Sequence, residues 1–313
     1  AFTNTTVADI TSDGITGGTI VLNSAGLTQT GVITGTSLDI ANSGGVVTLD
    51  KNNVVDNVEI DNATRAVAFT NTKVADITSD GITGGTIVLN SAGLTQTGVI
   101  TGTSLDIANS GGVVTLDKNN VVDNVEIDNA TRAVAFTNTT VADITSDGIT
   151  GGTIVLNSAG LTQTGVITGT SLDIANSGGV VTLGSDNAVD NVEIDNATRA
   201  VAFTNTTATE ITSGGITGGA IALNTAGLTQ TGVITGTSLD IANSGGVVTL
   251  DENNAVSNIE IDNATRAVAF TNTTVTDITS GGITGGAIAL NTAGLTQTGV
   301  ISARRLISQT PAV

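Results

Sequence analysis

The sequence predicts an all-β chain wound as a parallel β-solenoid. Three observations predict it: a fixed 67-residue period, short apolar pairs spaced i, i+2, and a lack of any sustained helical periodicity. Phe2, Phe69, Phe136, Phe203 and Phe270 mark the same point in successive copies, one period apart each time. Full copies span 1–67, 68–134, 135–201 and 202–268, and a partial fifth spans 269–301. Copies 1 and 2 differ only at Thr6 against Lys73. Copies so alike adopt one shape and stack, because no single turn can bury its own apolar face.

Within the second copy, Ala75 and Ile77 flank Asp76, and Ile87 and Leu89 flank Val88. Leu105/Ile107, Val114/Leu116 and Val125/Ile127 repeat the pattern, and Val134/Phe136 carries it across the next junction. Such alternation places one face inward and one outward, and β-branched residues suit it. Between the pairs lie Gly84–Gly85, Gly93, Gly98, Gly102, Gly111–Gly112 and the tract Asp117–Asn120, all residues with turn chemistry. The count is about nine short strands per copy, hence about three coils per repeat at roughly 22 residues each. The expected core is a column of Val, Ile, Leu and Ala with one Phe per copy. Leu89 is expected inside; Glu126 and Asp128 are expected outside. Residues 302–313 diverge: Arg304 and Arg305 replace Thr and Ser, and Pro311 appears. Pro and charge discourage further edge pairing. The chain opens inside repeat text and reads as a piece of a longer protein.

Composition narrows function. Hydrophobic residues make up 39 %, enough for order despite only 2 % aromatics. Net charge is −19, which argues against nucleic acid and against docking on anionic lipid. An acidic surface keeps a repetitive chain soluble. Cysteine is absent, so disulfide and thiolate chemistry are absent too. No apolar run is long enough to span a membrane, and no signal peptide is visible.

The string Gly93–Thr103, GLTQTGVITGT, is followed by Ser104-Leu105 and then by Gly111–Leu116, GGVVTL. With FTNT at Phe69–Thr72 and ITSDGITGG at Ile77–Gly85, this text resembles the repeats of two-partner-secretion exoproteins, the filamentous haemagglutinin-like adhesins of Gram-negative bacteria. The resemblance runs to Ile301. It implies a right-handed parallel β-helix shaft, exported through an outer-membrane transporter to the cell surface or the medium. It implies a role in cell–cell, matrix or host attachment, with a cell-surface receptor, a polysaccharide, a matrix component or like molecules as partners. A contact-dependent toxin-delivery stalk and a self-assembling extracellular polymer are the alternatives.

No catalytic, cofactor or metal site is expected. The nearest approach to paired catalytic carboxylates is Asp123, Glu126 and Asp128, repeated as Asp56/Glu59/Asp61 and Asp190/Glu193/Asp195. An enzyme seldom repeats its active site along a rod, and His is missing, so a solvated acidic face is the plain reading. Calcium is the one ion the residue types suit, at Asp117-Lys118-Asn119-Asn120 with Asp123 nearby, though copy 3 reads Gly184-Ser185-Asp186-Asn187 there. Thr95-x-Thr97 has the local spacing of an ice-ordering ladder but occurs once per copy. Asn4, Asn62, Asn129, Asn138, Asn196, Asn205, Asn263 and Asn272 begin Asn-x-Ser/Thr triplets; chance in an Asn/Thr-rich chain is the plain reading, and they would be exposed acceptors if a suitable glycosyltransferase acted. Arg65, Arg132, Arg199 and Arg266 each follow an acidic stretch, and a local ion pair with the Asp61-type carboxylate is expected.

Overall fold

A computed structural model describes residues 1–42, 44–109, 111–176, 178–243 and 245–309. Pro311 lies outside them. The chain is a parallel β-solenoid of about 15 turns, and no described residue is helical. Ala1–Ser158 and Ala159–Val313 form two compact units.

In the first unit, inward residues stack turn upon turn in two columns. Leu27, Val47, Val67, Ile87, Leu105, Val125 and Ile144 pair in succession. The other column runs from Phe2 through Leu22 and Ile40 to Ile60. It continues through the Ala75/Ile77, Leu94/Gln96 and Val114/Leu116 pairs to Phe136. That makes seven turns between Phe2 and Phe136, which stand two repeats apart in the sequence. One repeat therefore makes three and a half turns, and the half turn carries each copy into the opposite column from the last. Phe69 consequently sits in the first column, between Leu49 and Leu89.

The expected count of about three turns per repeat holds; the half turn is hidden in the sequence because one expected turn is not one. Asp117–Asn120 lies inside the strand Val114–Asp128, and its equivalent in copy 1 lies inside Val47–Asp61. The pairing register with the next strand slips at a bulge between Leu116 and Asn120, and the inward alternation changes phase between Val122 and Val125, so the strand bends without leaving the ladder. Gly84–Gly85, Gly93, Gly98 and Gly111–Gly112 lie between strands as expected, whereas Gly102 lies inside the strand Ile100–Asn109. A Cβ on Gly98 would stand 1.9 Å from the carbonyl oxygen of Thr78 on the preceding turn, so only glycine fits.

The core is the expected one in copies 2 to 5, where Phe69, Phe136, Phe203 and Phe270 are buried; Phe2 of copy 1 is 49 % exposed. Leu89 is 1 % exposed and Phe136 2 %. Full burial of each such side chain contributes about 2–3 kcal/mol. The second unit repeats the plan. Val181, Val201, Ile221, Leu239, Ile259 and Ile278 form one column, with Phe203 in it. Leu228, Val248 and Val268 belong to the other, with Phe270. The divergent strand Ile301–Gln309 still pairs in parallel with residues 283–291, placing Ser308 against Leu290.

Corners are filled by amides. Asn120 is fully buried at the bulge. Its Oδ1 accepts from Gln96 Nε2 (3.0 Å) and the Ile100 N–H (2.8 Å). Its Nδ2 donates to Gln96 Oε1 (3.0 Å), Leu116 O (3.2 Å) and Thr137 O (2.9 Å). The bend leaves backbone groups out of the ladder, and the amide supplies their partners. Asn53, Asn187 and Asn254 pair with Gln29, Gln163 and Gln230 in the same way.

Candidate functional site

What the fold offers to a partner is its outward positions. Because the repeat closes on a half turn, the same outward text appears in the two columns by turns. In the first, Thr48, Ala68, Val88, Asp106 and Glu126 are neighbours across successive turns. In the second, Val21, Asp39 and Glu59 are neighbours, and Thr115, Ala135 and Val155 follow further along. Each column thus carries a neutral Thr–Ala–Val panel and an acidic panel.

The acidic panel differs from the cluster that sequence order suggests. Glu126 meets Asp106 of the preceding turn, one strand spacing away at about 4.8 Å. Burial pushes the Asp106 carboxyl above its ordinary value, and Glu126 and Asp147 push it further. Asp39 is raised by burial, Glu59 and Asp80. Glu126 Oε1 accepts from Thr145 Oγ1 (2.7 Å), Ser146 Oγ (3.4 Å) and the Asp147 N–H (3.3 Å), so it holds the bulged stretch of strand Ala142–Thr150 on the next turn. In copy 3, Glu193 does the same for Thr212 (2.6 Å) and Gly214 N (2.9 Å), and those hydrogen bonds hold its carboxyl below the usual value. Asp128 Oδ1 accepts from the Ala130 N–H (3.3 Å) in a turn, and Asp123 is exposed. The three carboxylates do not converge. Sequence order hides Asp106, because its partner lies a full turn further along the chain. Two acids at the same outward phase, one turn apart, are the signal that could find it.

The tract read as a calcium candidate is engaged otherwise. Asp117 pairs with Lys118 at 3.2 Å, and Asn120 is the buried clamp described above. Among the described residues, no group of three or more His, Cys, Asp or Glu could hold a metal. Thr95 Oγ1 donates to Asp76 Oδ1 (3.1 Å), one contact with the neighbouring turn.

Two expectations are overturned. Seven of the eight triplet asparagines are buried, not exposed. Asn62, Asn129, Asn196 and Asn263 are 0 % exposed, and Asn138, Asn205 and Asn272 are 2–3 %. Asn129 Nδ2 donates to Ala133 O (2.8 Å), and Asn138 Nδ2 to Val122 O (2.8 Å). These amides close corners, which the triplet pattern does not disclose; only Asn4 is partly exposed. The arginine ion pair does not form either. Among the described residues, ion pairs join Lys51–Asp50, Lys73–Asp56 and Lys118–Asp117, and Arg65, Arg132, Arg199 and Arg266 make none. The turn Asp61–Arg65 directs the Asp61 carboxylate to the Ala63 N–H (3.3 Å) instead.

Fold and surface define a class: a repeat-built parallel β-solenoid with amide-filled corners and two alternating outer faces. Comparison with models of protein families, with curated proteins and with solved structures gives no match.

Proposed function

We propose that this chain is a rigid shaft segment of a large secreted or surface-displayed filamentous adhesin, acting in cell–cell, matrix or host attachment. The observation that supports it is the parallel ladder itself, renewed by near-identical 67-residue copies whose corner amides are held inside. Such an object adds reach without adding a new fold, and near-identical copies let length change by recombination. Its place is outside the cell, reached through an outer-membrane transporter, and its partners are a surface receptor, a polysaccharide, a matrix component or like molecules. The reading includes no catalytic role.

The test has two arms. Versions of the chain with one repeat removed or added are measured by small-angle X-ray scattering. Each repeat should change the maximum dimension by about 17 Å, three and a half turns at ~4.8 Å. A dimension that does not follow repeat number sinks the shaft. In the second arm the chain is displayed on non-adherent bacteria and attachment to cells and matrix is scored. A shaft of the right length with no attachment favours the delivery stalk over the adhesin.

A further inference from the structure

Copy 4 departs from copies 1–3 on one outer face. Where those copies read Thr86-Ile87-Val88-Leu89-Asn90 and its equivalents, copy 4 reads Ala220-Ile221-Ala222-Leu223-Asn224. The inward residues keep their type; only the outward side chains shrink. Ala222 lies between Ala202 on the turn before and Asp240 on the turn after, and Glu260 follows Asp240. The result is a groove of about 420 Å³, floored by Ala200, Ala202, Ala220 and Ala222 and bordered by Asp240 and Glu260.

We propose that this groove binds an extended segment of a basic partner protein, with an arginine stem along the alanine floor and its guanidinium on Asp240 and Glu260. The chemistry of the floor and rim fits that side chain. An arginine carries three methylenes that need apolar cover and a planar head that suits two carboxylates. Asp240 and Glu260 are like charges on adjacent strands, and among the described residues no cation pairs with either. Burial and Glu260 both push the Asp240 carboxyl up, so an arriving cation removes a repulsion already present.

The chain supplies its own precedent one repeat later. There the equivalent floor is Ala267, Ala269, Ala287 and Ala289, and Arg305 lines it, standing opposite Ala287. The space left is about 170 Å³. An arginine is therefore already among the residues that line this alanine floor in the same unit. Ile307 occupies the position of Asp240, so the carboxylate that would hold a foreign cation is gone just where an internal one is present. The net charge of −19 attracts a basic partner and repels a second copy. The groove belongs to the second unit and does not depend on the shaft reading.

The test is fluorescence anisotropy of the whole chain with a labelled peptide of alternating arginine and valine. Two variants accompany the parent. Ala220→Thr with Ala222→Val restores the text that copies 1–3 already fold with, and fills the groove. Asp240→Asn removes one outward carboxylate. Each should weaken binding about tenfold or more, the order expected for losing one charge-assisted contact on a desolvated floor. Equal binding by all three proteins overturns the proposal. Weakening by Asp240→Asn alone reveals charge attraction without a groove and overturns it too. Sedimentation of the unliganded chain closes the remaining case. A dimer abolished by the groove-filling pair assigns the surface to a second copy, against the basic partner; a monomer at all concentrations agrees with it.

Discussion

Replacing Asn120 by Ala tests the corner amides. Asn120 makes five hydrogen bonds while fully buried, and they are not of equal weight. Gln96 retains Gly98 O (2.6 Å) and the Lys118 N–H (3.2 Å) when Asn120 is lost. The Ile100 N–H loses its acceptor, since its partner is the Asn120 oxygen. One orphaned buried donor costs about 1–3 kcal/mol, and the weakened carbonyl and Gln96 contacts add roughly 1 more. The small cavity adds to this, for a total of about 3 kcal/mol. Asn119→Ala is the control: Asn119 is exposed, and its loss should change stability by less than about 0.5 kcal/mol. Because stacked repeats open as local units, the assay is native-state hydrogen exchange at Ile100 and the adjacent turns, supported by urea unfolding. A loss below about 1 kcal/mol, or one matched by Asn119→Ala, would refute the view that the amide holds the bulge.

Other predictions rest on separate features. Ala130 has φ 47°, a left-handed conformation that costs an alanine about 1 kcal/mol, so Ala130→Gly should raise the urea midpoint; an unchanged or lower midpoint counts against strain there. Asp106 has a raised carboxyl in the folded chain, so the folded state binds protons more readily than the unfolded one. Its charge therefore opposes folding at neutral pH, and that opposition fades as pH falls through the raised value. Asp106→Asn should stabilise the chain at pH 7 and lose its advantage in acid, read from unfolding curves across pH. Glu193 has the opposite sign: its stabilisation is present above the unfolded value and is lost as pH falls through the lowered one. Incubated folded with an Asn-x-Thr glycosyltransferase, the chain should stay unmodified at Asn129, as intact mass and peptide mapping will show; a glycan there would mean that the corner opens.

Much was determined by sequence alone. The 67-residue period, the strand alternation and the inward places of Leu89, Phe136 and their equivalents follow from local rules, because side-chain direction in a strand has a period of two. Gly98 was legible for the same reason: turn chemistry is short-range. The half turn per repeat was not, because register depends on which residues stack across a whole turn of intervening chain, and a bulge at Asn120 replaces the turn that its composition suggests. The roles of Asn120 as a buried clamp, of Glu126 as partner to Asp106 and Thr145, and of Ala222 as the floor of a groove are relations between turns. Only the winding of the chain brings those groups side by side, so only the tertiary structure could decide them.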